Sequence, residues 1–142
     1  MRALLDVNVL IALFDVGHIH YGSARNWWNT NDRGGWASCV LTQNGFVRVI
    51  SKPGYERPVP LRVAIAALTD QASQTDHEFW PDDISITDDK LFDHGYILGP
   101  NQITDVYLLA LAVKHDGRLV TFDRGLPIRA VRGADVGHLV ML

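Results

Sequence analysis

Cysteine, long apolar runs and internal repeats are all scarce in this sequence of 142 residues, and each scarcity excludes a class of protein. The single cysteine, Cys39, cannot form an internal disulfide, and it has no second thiol with which to bind a metal. The apolar runs are far too short to span a bilayer, and Asp6 interrupts the stretch that a signal peptide would need. We therefore expect a cytoplasmic protein without a membrane segment, folded as one domain over residues 1–142.

Positive charge is also in deficit, because 13 Lys and Arg residues face 16 Asp and Glu residues, which gives a net charge of −3. A nucleic-acid-binding protein usually has the opposite balance, but an enzyme that binds metal ions gathers carboxylates in its site. The basic residues are concentrated in two stretches. These could contact phosphates or simply form a solvated surface: Arg48, Lys52, Arg57 and Arg62, and then Arg118, Arg124, Arg129 and Arg132.

What the sequence does contain is an alternation of short apolar segments with amphipathic ones. The apolar segments predict strands at residues 3–5, 36–39, 84–86, 118–122 and 138–142. The amphipathic segments predict helices at residues 7–14, 18–31, 41–51, 60–72, 88–98 and from residue 104 onwards. Strands that alternate with helices indicate an α/β fold, with a central parallel β-sheet flanked by α-helices. In such folds ligands bind outside the carboxyl ends of the strands.

Three aspartates fall at positions that could meet at that carboxyl edge. Asp6 directly follows the first strand, Asp123 follows the strand at 118–122, and Asp105 lies in the first turn of a helix. One such aspartate is most simply a turn former or a helix cap. Three of them, each beside a strong apolar run, indicate an acidic site.

Such a cluster needs something to offset its charge. Two carboxylates about 5 Å apart repel each other by roughly 3 kcal/mol at an effective dielectric constant of about 20. A shared proton or a hard divalent cation can offset this repulsion. Ligands that are all oxygens, without thiols or histidines, favour Mg²⁺ or Mn²⁺ over zinc.

Four segments, spread over nearly the whole chain, carry a resemblance to a known family. They are LDVNVL at residues 5–10, LTQNGFVR at 41–48, TDVYLLALA at 104–112 and VTFDR at 120–124. In this order and spacing they resemble the PIN-domain family, and most closely its VapC branch. The resemblance implies a single PIN-like domain with its acids at the carboxyl edge of the sheet.

The resemblance also implies an activity and partners. Members of the VapC branch are the toxin components of type II toxin–antitoxin modules. They are Mg²⁺- or Mn²⁺-dependent endoribonucleases that form homodimers and are silenced by a VapB-like antitoxin. By resemblance, Asp6, Asp105 and Asp123 would be metal ligands, and Asn8 and Thr121 would orient those carboxylates. Two arginines close to the site in sequence would contact RNA phosphates: Arg48 and Arg124.

The sequence departs from the family pattern at Gln43, where the family usually has a catalytic glutamate. A glutamine has nearly the same shape and can bind a metal or a water through its amide oxygen, but it cannot serve as a base. Three explanations remain open. Glutamine could be a native ligand of weaker affinity, nuclease activity could be lost, or the residue could be an engineered substitution.

Two alternatives to the nuclease follow from the same residues. A catalytically weakened or inactive PIN fold would only bind RNA or an antitoxin, with Gln43 marking the degenerate site. Alternatively, residues 6–10 could form the nucleophile loop of a haloacid-dehalogenase phosphatase. That loop normally has a second aspartate where Asn8 stands, and no downstream catalytic lysine is evident.

Overall fold

The computed structural model describes residues 1–31 and 33–142 together with their side chains. In this part of the chain five parallel strands are combined with five α-helices, which confirms the predicted α/β class. The strands are β1 (Ala3–Leu5), β2 (Trp36–Cys39), β3 (His77–Trp80), β4 (Arg118–Thr121) and β5 (Leu139–Met141). The helices are α1 (Val7–Phe14), α2 (Tyr21–Thr30), α3 (Val40–Ile50), α4 (Leu61–Gln74) and α5 (Ile103–Lys114).

The strands form one sheet in the order β3-β2-β1-β4-β5, with β1 at the centre. Leu4 of β1 lies opposite Ala37 of β2 on one side and Leu119 of β4 on the other. All four neighbouring pairs of strands are parallel, so every carboxyl end points to the same edge. The residues that follow β1, β2 and β4 therefore start close together.

Helices cover both faces of the sheet and form two apolar layers. Leu4 and Leu119 point into the layer that contains α5, whereas Leu5 and Val120 point into the layer that contains α1 and α3. This alternation is the two-residue period of a strand. Continued past the strand ends, it directs Asp6 and Thr121 to the α5 face of the sheet.

Two predicted elements are wrong. The third strand lies at His77–Trp80 and not at residues 84–86, and the region 88–98 contains only a short 3-10 turn at His94–Tyr96. The third strand is at the edge of the sheet, where Glu78 and Phe79 are exposed, so it lacks the apolar run that predicts a buried strand. Residues 84 and 86 pack against the α5 layer from an irregular segment, which explains their apolar character.

No helix in the described part of the chain has both the length and the apolar character that crossing a membrane requires.

Candidate active site

The first acid of the site is Asp6, which is the N-cap of α1 and only 7% exposed. Its backbone is extended, and its carboxylate accepts a hydrogen bond from the Val7 backbone N–H at 2.7 Å. Burial raises the pKa of Asp6, although the hydrogen bonds from Thr121 and Val7 partly counter this effect. Keeping a carboxylate at this buried position therefore costs the folded state free energy.

Thr121 connects the ends of β1 and β4. Its side chain is fully buried, and its hydroxyl donates to Oδ2 of Asp6 at 2.8 Å. The hydroxyl oxygen of Thr121 also accepts a hydrogen bond from the backbone N–H of Asp123 at 3.1 Å. Asp123 itself is exposed and is held by the Gly125 N–H, which donates to its Oδ1 at 2.7 Å. Thr121 thus occupies the orienting position that the resemblance implies.

The third acid, Asp105, reaches the same place from the first turn of α5. Its pKa is raised to about 7 by burial, by a hydrogen bond with Asp123 and by the negative charge of Asp6. The hydrogen bond with Asp123 and the effect of the Asp6 charge both require the three carboxyl groups to be neighbours. The structure therefore brings together Asp6, Asp105 and Asp123, which are up to 117 residues apart in sequence.

The donor chemistry of this cluster fits a hard divalent cation, but the spacing is not that of an assembled cage. All three side chains offer carboxylate oxygens, and Asp105 is the group whose negative charge is least compensated. Among the residues described, however, no three His, Cys, Asp or Glu side chains are close enough to hold a metal ion as they stand. Binding one would require Asp105 to be deprotonated and the carboxylates to come closer together.

Gln43 is not joined to this cluster by any hydrogen bond among the described residues. It lies in the first turn of α3, and its Nε2 donates to the buried hydroxyl of Ser38 at 2.9 Å. The side chain lines a groove between α3 and α4. The face of α3 that meets α1 is at Gly45, where an added Cβ would be 2.5 Å from Val7.

The remaining residues suggested by the sequence lie on the surface. Asn8 is exposed and makes no side-chain hydrogen bond among the described residues, so its orienting role stays a prediction. Arg48 and Arg124 are exposed, as a contact with phosphate would require. Other members of the two basic stretches have structural partners, because Arg57 pairs with Asp15 and Arg118 donates to Asn31.

The sequence pattern does not identify two polar residues of this region as partners. Ser38 is completely buried in β2, and its hydroxyl is 2.8 Å from Nε2 of His77 in β3. The two residues are 39 positions apart, so only the pairing of β2 with β3 brings them together. A buried serine in an apolar strand was the available hint, and it does not identify its partner.

Fold and site together define a PIN domain, and a comparison with known families agrees. The PIN domain family matches residues 3–132, which is most of the chain. The chain belongs to the PIN-domain family.

Within that family, the similar curated proteins are VapC proteins of Mycobacterium tuberculosis. The chain is 51% identical to Ribonuclease VapC44 over 142 residues, covering 100% of both chains. It is 39% identical to Ribonuclease VapC39 over 134 residues, covering 94% of this chain and 96% of the relative. It is also 43% identical to Ribonuclease VapC38 over 128 residues, covering 87% and 86%.

A solved structure has a similar fold. It is the crystal structure of VapBC2 from Rickettsia felis bound to a DNA fragment from their promoter. The TM-score is 0.56 with 17% sequence identity, and the match covers 89% of this chain and 96% of that chain. At this low identity the match concerns the fold alone.

Proposed function

We propose that this protein is an endoribonuclease, the toxin component of a type II toxin–antitoxin module, and that it hydrolyses RNA phosphodiester bonds with Mg²⁺ or Mn²⁺. The observation that carries the proposal is the convergence of Asp6, Asp105 and Asp123 at the carboxyl edge of a PIN fold. Full-length identity of 51% to a protein named Ribonuclease VapC44 supports the RNA substrate.

The three aspartates would hold the cation through their carboxylate oxygens. The ion would offset the charge of the scissile phosphate and of the leaving oxygen, and would make the attacking water more acidic. Hydrolysis forms a bond between the water oxygen and phosphorus, breaks the bond to the leaving oxygen, and transfers one proton to that oxygen. No ribose hydroxyl is consumed in this reaction.

The protein's own contribution is positioning and control of protons. Thr121 fixes one oxygen of Asp6 and the backbone of Asp123, so that two acids from different strands keep a defined relation. Asp105, with a pKa of about 7, is partly protonated near neutral pH while it faces only other carboxylates, and it would release that proton when a cation binds. Binding of the cation should therefore release protons near neutral pH.

The proposal includes partners. A VapB-like antitoxin is expected because the structural relative from Rickettsia felis is a VapBC complex. A homodimer and a cytoplasmic location are expected from the resemblance and from the composition. Exposed Arg48 and Arg124 would contact RNA phosphates beside the acidic cluster.

The test is cleavage of a labelled single-stranded RNA pool with Mg²⁺, with Mn²⁺ or with EDTA. We expect fragments with either metal and none with EDTA. The matched variant is Gln43→Glu, which restores the residue usual in the family. If only this variant cuts, the site is disabled by Gln43, and the protein as written is the RNA- or antitoxin-binding alternative. If neither cuts, the nuclease proposal fails.

A further inference from the structure

A chain of hydrogen bonds fixes the orientation of the Gln43 side chain. Gln43 Nε2 is 2.9 Å from the hydroxyl oxygen of Ser38, and that oxygen is 2.8 Å from Nε2 of His77. Ser38 is completely buried, so water cannot replace either partner. The amide nitrogen of glutamine is a donor only, and the Ser38 oxygen must therefore accept from it.

The donor-to-acceptor direction of these hydrogen bonds continues to His77. Because Ser38 accepts from Gln43, its own hydrogen is free to be donated to Nε2 of His77. Such a donation requires a neutral imidazole that carries its proton on Nδ1. Burial and the nearby Arg2 guanidinium lower the pKa of His77, which favours the neutral form.

The amide oxygen of Gln43 is therefore available to a ligand. Oε1 of Gln43 accepts no hydrogen bond from any described residue, and it is not among the buried unpaired atoms, so it reaches solvent. The Gln43 side chain lines a groove of about 1050 Å³ between α3 and α4. Apolar side chains line it, including Val47, Ile65 and Leu68.

The groove carries positive charge where α3 ends. Arg48 lies in the last turn of α3 and Lys52 lies two residues past the end of that helix, and neither forms an ion pair within the described residues. A single strand of RNA matches this combination, because its phosphates can meet the two cations while an unstacked base lies against the apolar surface. The charge complementarity favours RNA over an apolar protein segment.

We propose that Gln43 acts outside the metal cluster as a specificity residue, whose outward amide oxygen accepts a hydrogen bond from a base of single-stranded RNA in the α3–α4 groove. Ser38 and His77 are the positioning residues that keep the oxygen outward. The inference rests on the proposed function for its substrate class. The departure from the usual glutamate is then a change of role, in keeping with the hydrogen bond that holds Gln43 to Ser38 and with the lack of one to the three aspartates among the described residues.

The hydrogen-bond chemistry predicts that one base is preferred at one position. Every unpaired base offers a donor on its Watson–Crick edge: the exocyclic amino group of adenine or cytosine, N1–H and the 2-amino group of guanine, or N3–H of uracil. The shape of the groove therefore selects among the bases, and the hydrogen bond to Gln43 strengthens the selection. One hydrogen bond of this kind gives a preference of roughly threefold to tenfold. We therefore expect a modest preference for one base at one position of the bound strand.

The experiment selects RNAs from a randomised single-stranded library in EDTA, so that binding is read without cleavage. The wild-type protein should enrich one base at one position by roughly threefold to tenfold. Gln43→Met, which keeps the shape but removes the amide, should abolish the enrichment. Gln74→Ala, at an exposed glutamine near the end of α4, is the matched control and should preserve it.

Ser38→Ala tests the positioning role. Without its anchor the amide can turn, so the base that the wild type enriches should lose its advantage while overall RNA affinity is retained. The ¹⁵N resonances of His77 should report the Nδ1–H tautomer in the wild type. An Nε2–H tautomer would overturn the proposed direction of these hydrogen bonds. An unchanged base preference in Gln43→Met would overturn the specificity role of Gln43.

A metal titration separates this inference from the proposed function. Gln43→Met should bind Mn²⁺ within about twofold of the wild type, whereas Asp105→Asn should lose most of the affinity. A tenfold loss in Gln43→Met would make Gln43 a metal ligand and would overturn the inference. If the wild type fails to bind Mn²⁺ or to cut RNA, the proposed function fails, but the selection in EDTA still decides the role of Gln43.

Discussion

The two ends of helix α1 carry aspartates that are equally buried but opposite in chemistry. Asp6 caps the start of the helix with 7% of its surface exposed, and Asp15 caps its end with 8% exposed. The pKa of Asp6 is raised, mainly by burial. The pKa of Asp15 is lowered to about 2, mainly by hydrogen bonds from Arg57.

The difference lies in what surrounds each carboxylate. Asp15 accepts from two guanidinium nitrogens of Arg57 at 2.8 and 2.9 Å, from the Tyr55 hydroxyl at 2.5 Å and from the Gly17 N–H at 3.0 Å. Asp6 accepts from one hydroxyl and one backbone N–H, and its charged neighbours are carboxylates. The negative charge of Asp15, which serves stability, is compensated by side chains of the protein itself. The site at the sheet edge is left short of positive charge, which a bound cation would supply.

The largest effect is expected when one carboxylate is neutralised in the edge site, the cluster of Asp6, Asp105 and Asp123 at the carboxyl edge of the sheet. Asp6→Asn should reduce metal-dependent RNA cleavage by roughly 1,000-fold, the upper range for the loss of one electrostatic contact to a transition state. Its unfolding midpoint should stay close to that of the wild type, because a poorly compensated charge is removed. Gel analysis of labelled RNA with Mn²⁺, together with thermal unfolding, measures both. Full activity in this variant would refute the assignment.

Loss of the link between the two strand ends should have a smaller effect. Thr121→Val keeps the shape but removes the hydroxyl that orients Asp6 and Asp123. Substitutions that remove an orienting partner of a metal ligand typically cost about 10- to 100-fold. The same cleavage assay at saturating Mn²⁺ measures the loss. A rate equal to that of the wild type would mean that Thr121 only fills space.

At the other end of the helix the effect should be on stability alone. Asp15→Asn places an amide nitrogen among donors and weakens the pair with Arg57, whose side chain is 41% exposed. After allowing for solvent screening, we expect the free energy of unfolding to fall by about 1.5 kcal/mol. Urea denaturation measures this change, and RNA cleavage by the folded variant should be unaltered. A large loss of activity without a loss of stability would remove the contrast between the two ends.

The smallest expected effect is an opposite pH response of the two regions. Asp105 has a raised pKa of about 7, so its contribution to stability is complete at low pH and is lost as the pH rises through 7. Asp15 has a lowered pKa, so its contribution is present above pH 4 and is lost as the pH falls towards 2.

Urea denaturation at several pH values, without metal, separates these contributions. Between pH 5 and 8 the stability of the wild type should fall by on the order of 1 kcal/mol, and Asp105→Asn should flatten this slope. Asp15→Asn should leave it unchanged. Mn²⁺ should reverse the fall at pH 8 in the wild type. A slope that persists in Asp105→Asn would assign it to another group.

The sequence predicts the edge site better than the Asp15 site for a physical reason. Asp6 directly follows β1 and Asp123 lies two residues past β4. Because the carboxyl ends of parallel strands share one edge, the meeting of these two aspartates needs only the fold class. The partners of Asp15 are 40 and 42 residues away, on a loop whose path no local pattern specifies.

The same reasoning explains the errors. The edge strand at His77–Trp80 carries polar and exposed residues, so it lacks the apolar pattern of a buried strand. Ile84 and Ile86 give residues 84–86 the pattern of a strand because both side chains contribute to the core, although from an irregular segment. The contact between Gln43 and Ser38 depends on how the α3 helix is turned on the sheet, which the sequence pattern leaves open.

The most direct test of the contrast is a titration with Mn²⁺, in which electron paramagnetic resonance follows the free ion. The wild type and Asp15→Asn should bind Mn²⁺ with equal affinity, and binding should be tighter at pH 8 than at pH 6, because Asp105 must lose its proton. Asp105→Asn should bind much more weakly. Undetectable binding by the wild type, or equal affinity in Asp105→Asn, would contradict a cation site at the carboxyl edge of the sheet.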